Sequence, residues 1–320
     1  MSIFDELKLN DIGIGDPQIV DEMVVIPLVG PDRGNVADPQ ALRFDGTVRG
    51  YGHMGFQNSD AQRRPAIVPA HTTARAKNSG QDHAMPGVGI AEYGNNDFNY
   101  CCCIEQSRGG ALTGEMDSFD VLPVGLRKAF SSISFRKQSE IGRLWNRISE
   151  WLRGLTSTGR AHLVDFYDSA KYKERLEKFT AEFEPIPGQL GALIMFGGVP
   201  VGIEIMPTNK HWESYWQYII RGCYGAELVR LQELNKMKSA ALIFPKIPDD
   251  ATAEQAAEIL SQFSEKIKQD IIPIFNQISI TDKKPLTVKA LSADLVTTSG
   301  NGVGDVVYQD NKPIYVSIVL

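Results

Sequence analysis

The chain has 320 residues, 42% hydrophobic and 22% charged, with 33 Lys and Arg against 39 Asp and Glu for a formal net charge of −6. This is ordinary globular usage, which argues against disorder and a membrane class; the negative balance argues against non-specific nucleic-acid binding, which draws on a basic surface. No apolar run approaches the ~20 residues that span a bilayer, and the start Met1-Ser2-Ile3-Phe4-Asp5-Glu6 has neither the basic opening nor the apolar stretch of a secretory signal, so a cytoplasmic protein without a membrane or nucleic-acid partner is expected.

Residues 1–22 are weakly patterned and contain Gly13 and Gly15, which fits an arm or an edge segment. Met23 to Val29 is short and β-branched and reads as a strand ended by Gly30-Pro31. From there to about residue 115 the chain is rich in Gly, Pro and Asn. Short strands are expected at Thr47-Val48-Arg49, Ala66-Ile67-Val68, Val88 to Ala91 and Tyr100 to Glu105, in a mostly antiparallel β-region.

Near Leu122-Pro123 the pattern turns helical. Ile141, Leu144, Trp145, Ile148, Trp151, Leu152 and Leu155 form one apolar stripe, and Tyr172, Leu176, Phe179 and Phe183 form a second, stopped by Pro185 and Pro187. A hairpin follows, Ala192 to Phe196 and Val199 to Met206, turning at Gly197-Gly198, where positive φ angles are needed. On its second strand Glu204 shares a face with Gly202, and solvent exposure is its expected position. Trp212, Tyr215, Trp216, Ile219 and Cys223 mark a third helix packed inward. Thr252 and Gln255 have capping-box spacing at the start of a fourth, whose stripe is Ala256, Ile259, Leu260, Phe263 and Ile267. A last hairpin turns at Asp310-Asn311. The expectation is a single α+β domain over 1–320, β-rich over 23–115, with helices and two hairpins over 116–320 sharing one core.

Three of the four cysteines are consecutive, Cys101-Cys102-Cys103. On a strand, Cys101, Cys103 and Glu105 share one face, and Cys102 and Ile104 the other. Three readings stand: cysteine as a small buried hydrophobe, Cys101 and Cys103 as zinc ligands with His83 or His71, or a nucleophilic cysteine paired with one of those histidines. Beyond the strand, Glu105 and Arg108 either hold a polar or anionic ligand with the backbone of Gly109-Gly110 or pair across the turn. Gly300-Asn301-Gly302-Val303-Gly304 precedes strand-like sequence, so it reads as a hairpin connection and not as a phosphate loop. His162 and His211 stand alone and carry no metal-ligand spacing. No metal site or cofactor is assigned.

The blocks Gly80-Gln81-Asp82-His83 and Cys103-Ile104-Glu105-Gln106-Ser107-Arg108, then Leu122-Pro123 with Leu126-Arg127, Gln138 to Trp145, and Gly191 to Ile205 with its Gly-Gly turn, come in an order that resembles the ARG- and rhodanese-phosphatase-superfamily-associated protein domain. The likeness runs collinearly from about Val24 to the C-terminal hairpin. Gln81, Cys103, Glu105, Gln106 and Arg108 match that family's motifs. Asp82 and His83 stand where it has asparagine and arginine, and Ser107 and Gly109 where it has glycine and tryptophan. The resemblance implies NAD- or ADP-ribose-linked metabolism, in a family largely of unknown function.

Two functional expectations follow. In the first, a pocket binds or processes a small polar or anionic ligand, nucleotide- or ADP-ribose-like. Glu105 accepts from hydroxyls or activates water, and His83 shuttles a proton. Arg108 holds an anionic group, Gln81 positions the ligand, and Asp82 and Gln106 add contacts. In the second, the protein is a non-catalytic, self-associating structural or adaptor protein whose N-terminal segment reaches a neighbouring copy. Whether it is an enzyme stays open.

Overall fold

The structure is a computed structural model. It describes residues 2–45, 52–75, 82–106, 120–131, 141–156, 160–237, 245, 247–248, 250–286 and 290–320, without the side chains of 141–143. Gln81, Arg108 and the expected strand Thr47-Val48-Arg49 lie outside the described residues.

Among the described residues nine strands form one sheet. Across it run Gly13–Ile14, Met23–Val29, Gln189–Phe196, Val199–Ile205, Lys312–Val319, Val303–Gln309, Ser292–Thr298 and Ile280–Leu286, with Gln18–Val20 also paired to Met23–Val29. Every pairing is antiparallel. Met23–Val29 and Gln189–Phe196 are continuous apolar runs because both faces of the sheet are covered there. On one face Val24, Ile26, Leu193, Ile203, Val306 and Val316 pack with Ile3, Leu7, Ile267, Ile271 and Phe275 from the helices Ile3–Glu6 and Ala253–Asn276. On the other, Ala192, Ile194, Phe196, Val307 and Tyr315 meet the helices Val124–Phe130, Ile141–Leu152, Ala170–Glu182, Asn209–Gln217 and Ala226–Glu233. The architecture is α+β.

The remaining strands form smaller antiparallel sheets. Leu42–Asp45, Met54–Asn58 and Gly94–Phe98 make one, Ala66–Val68 pairs with Gly89–Ala91, and Cys102–Cys103, His83–Ala84 and Thr73–Ala74 make a third.

The turns follow the backbone chemistry expected of them. Gly197 and Gly198 have φ of 53° and 88°, and Asp310 and Asn311 have 51° and 59°, the double positive pair that matches strand twist. Gly300 to Gly302 turns Ser292–Thr298 into Val303–Gln309, with Thr298 N–H donating to Gly302 O at 2.8 Å. The last hairpin is thus the end of a four-strand meander. Its first strand, Ile280–Leu286, is mostly exposed, carries Lys283-Lys284-Pro285, and gave no apolar alternation to read.

Both halves of the capping box form at Thr252 and Gln255. Of the expected stripe in that helix Leu260 is exposed, Ala256, Ile259 and Phe263 are half-buried, and full burial begins at Ile267. Thr252→Ala is therefore expected to lower stability by ~1 kcal/mol or less, with faster amide exchange confined to the helix's first turn.

Glu204 is not solvent-facing: it is 1% exposed. Strand alternation predicted which residues share its face, but the helical layer that covers that face comes from distant sequence. Across the sheet, Glu204 pairs with Ser317, and Ser317 with Asp305, which makes a buried polar row. Arg127 reaches down from the helix Val124–Phe130 to satisfy it. Its Nη1 donates to Glu204 Oε1 at 2.7 Å and to Cys223 Sγ at 3.3 Å, and its Nη2 donates to the Ser317 hydroxyl. Tyr224 donates its hydroxyl to the same Glu204 oxygen at 2.7 Å. Asp305 accepts from Val88 N–H at 2.7 Å, and the Tyr315 hydroxyl accepts from Ala70 N–H at 2.8 Å. These bonds tie the β-rich first third to the main sheet. Burial works against the Arg127 charge, and the adjacent Glu204 carboxylate overcomes it, so the guanidinium stays well above its ordinary pKa.

Candidate ligand cleft

The described parts of the two polar blocks, Asp82-His83 and Cys103 to Gln106, are neighbours in space. Cys103 pairs with His83 and Cys102 with Ala84, and Ile104 N–H donates to Asp82 O at 2.9 Å. The cysteine run is packed, as its alternation implied: Cys101 sits in the core of the small sheets, and Cys102 and Ile104 in the core against the helices. Burial pushes the Cys102 thiol up to about 12, with the neighbouring Cys103 adding to it, and raises Cys101 well above its ordinary value. A thiolate nucleophile is disfavoured at both. Among the described residues no three His, Cys, Asp or Glu side chains converge as a metal-binding group.

Asp82 is 4% exposed and, with Ile104, Leu163 and Val164, lines a narrow recess of about 40 Å³. Arg75, Asp120 and Tyr167 line both this recess and an adjoining cleft of about 360 Å³ whose wall continues through Asp168, Lys173 and Arg221. The cleft pairs opposite charges. Arg75 forks onto Asp168, one arm at 2.9 Å and the other to the second carboxylate oxygen. Arg221 Nη2 donates to Asp120 Oδ1 at 2.9 Å. The Tyr167 hydroxyl donates to Gly222 O at 2.6 Å; burial, and then the Asp120 charge, raise its pKa well above the ordinary value, so it acts as a neutral donor. Guanidinium forks, carboxylate acceptors and a phenol at one concave surface suit a ligand that carries both hydroxyls and an anionic group.

Glu105 follows the lining residue Ile104 and is buried, and the sequence did not announce its neighbour. Glu105 bridges antiparallel to His162, whose Nδ1 stands 3.9 Å from Glu105 Oε1 and 3.8 Å from Asp165 Oδ2. His162 therefore does not stand alone; a pairing across 57 positions leaves no local spacing to read. His83 is fully buried, and its Nε2 accepts from Gly52 N–H at 3.1 Å, which commits that nitrogen to the backbone. Gln106 is exposed, and its N–H donates to Ala161 O at 3.0 Å. Arg75, Asp120, Tyr167 and Arg221 were not picked out from sequence. Arg221 carried one signal, as a charged residue between the inward positions Ile219 and Cys223.

The fold and cleft define an α+β protein with a mixed-charge cleft at the junction of its small sheets and its helical layer. A family model described as the ARG and Rhodanese-Phosphatase-superfamily-associated Protein domain matches residues 78–298, and the chain belongs to that family. The match starts just before the Gln81-Asp82-His83 block and ends within the meander, so the strands Met23–Val29 and Lys312–Val319 lie outside it. Comparison with curated proteins and with solved structures returned no match.

Proposed function

We propose that this cleft binds a small polar ligand with an anionic group, nucleotide- or ADP-ribose-like. The observation that carries the reading is the convergence of Asp82 with Arg75, Asp120, Tyr167 and Arg221, from five separate stretches of chain, on one concave surface. Arg75 and Arg221 receive the anionic group, exchanging their present carboxylates for it, and Asp82 and Asp120 accept from hydroxyls. Glu105 and His162, 3.9 Å apart and next in sequence to the lining residues Ile104 and Leu163, are the pair to which we assign proton transfer if the ligand is processed. In this reading His83 supports the Asp82 strand. Four buried free cysteines suit a reducing compartment such as the cytoplasm.

The test is thermal stabilisation across a panel of ADP-ribose, ADP, AMP, ribose 5-phosphate and inorganic phosphate. At 100 times Kd a bound ligand adds ~2.7 kcal/mol, a readily measured shift. Arg75→Ala with Arg221→Ala is expected to abolish it; a panel without any response refutes the reading. Self-association rested on residues 1–20 reaching a neighbour. Ile3, Leu7 and Leu9 are instead buried against their own sheet, and Ile3 N–H donates to Ile278 O at 2.7 Å. The cleft supports the ligand reading, and light scattering tests self-association separately.

A further inference from the structure

The helical run from Asn209 to Glu233 contains a π-helix, Tyr218–Gly225, between the α-helices Asn209–Gln217 and Ala226–Glu233. Ala226 N–H donates to Arg221 O, five residues back, so the turn holds one residue more than an α-helix would. Four residues of this wide turn, Arg221 to Tyr224, divide between two environments. Arg221 binds Asp120 in the cleft, and the Gly222 carbonyl accepts from Tyr167. The next two turn inward: Cys223 Sγ accepts from Arg127, and Tyr224 donates to Glu204. Close approach fixes both sides. A Cβ on Gly202 would lie 1.9 Å from the Tyr224 hydroxyl oxygen, and one on Gly222 would lie 3.0 Å from Asp120 Oδ1. The turn is thus held between the sheet and the cleft with little room to slide.

We propose that Tyr224 and Glu204 are positioning residues for the cleft: by fastening the π-turn to the sheet, they set where Arg221 and the Gly222 carbonyl stand. The proposal rests on the cleft being a ligand site, but the fastening itself can be observed without a ligand. A wide turn has an alternative in the ordinary α-helical register; of the bonds that hold this one, the Tyr224–Glu204 bond is the one to the sheet that a single hydroxyl makes, and its loss would loosen the turn that carries Arg221.

Tyr224→Phe keeps the ring, which meets Phe196 edge-on at 6.4 Å, and removes only the hydroxyl. In the full chain, amide exchange over residues 218–226 is measured without ligand, and affinity for ADP-ribose and for inorganic phosphate is measured by calorimetry. Thr252→Ala serves as a mildly destabilised control remote from the cleft. The expected result is faster exchange over 218–226 and binding weakened at least about threefold in Tyr224→Phe, with the control matching wild type in both. Unchanged exchange in Tyr224→Phe overturns the proposal, as does faster exchange with undiminished affinity for a probe that the wild type binds. If the wild type binds neither probe, the ligand reading fails, and the exchange result alone decides whether the fastening exists.

Discussion

Replacing Arg127 with alanine is expected to destabilise the chain by about 3–5 kcal/mol, read from the urea midpoint at unchanged slope. Arg127 and Glu204 are 1% and 2% exposed at their side chains, so truncation leaves a carboxylate stranded in a medium that cannot hydrate it. The Ser317 hydroxyl and Cys223 Sγ lose the Arg127 donor at the same time. The double variant Arg127→Met with Glu204→Met removes both charges and is expected to recover part of the loss. Recovery stays incomplete because the Tyr224 hydroxyl remains buried without its Glu204 acceptor and the Ser317 hydroxyl without the Arg127 donor. A single variant within 1 kcal/mol of wild type would show that water reaches the network.

The second large effect is a pH dependence centred on His211, the third residue of the helix Asn209–Gln217. It is 1% exposed. Burial lowers its pKa to about 4, only partly opposed by Asp38, a backbone bond to Ala37 and Asp32. Its Nδ1 is 2.7 Å from the hydroxyl of the N-cap Thr208, whose side chain also caps the helix. The folded pKa lies below the unfolded value near 6.5, so between the two it is the unfolded chain that takes up the proton. Stability therefore falls as pH drops from 6.5 to 4, by about 3 kcal/mol from this group, and no further below that. His211→Gln is expected to flatten the stability–pH curve over that window by one proton. Asp60, held down at about 2 chiefly by its bond to Arg64, acts lower: its contribution is present above its unfolded value near 4 and is lost as pH falls through 2. A His211→Gln curve parallel to wild type between pH 6.5 and 4 would contradict this assignment.

What sequence reading recovered depended on local repetition. The strands Met23–Val29 and Gln189–Phe196, the Gly197-Gly198 turn and the helices Ile141–Leu152 and Ala170–Glu182 are each encoded in a short window by period and punctuation. The placement of Asp82 beside Cys103 was anticipated only as a shared site, and its cause is a strand pairing between His83–Ala84 and Cys102–Cys103. Glu204 eluded the reading because alternation tells which residues share a face and not which face is covered. Gly202 and Gly191 on the paired strands were the available hint, since glycine within a strand marks close approach; an added Cβ would meet Tyr224 and the Glu204 backbone, respectively, at 1.9 Å. The π-turn left no trace in the apolar spacing of Trp212, Tyr215, Trp216 and Ile219. The cleft residues Arg75, Asp120, Tyr167 and Arg221 come from segments that no motif joins.

The central claim is that Arg75, Asp82, Asp120, Tyr167 and Arg221 form one ligand-binding surface. It is tested most directly by amide exchange with the panel compound that stabilises the protein most. Protection is expected over residues 72–75, 82–84, 120–121, 163–168 and 218–225, with the main sheet unchanged. Protection confined to any other region of the chain, with these five segments unaltered, would contradict it.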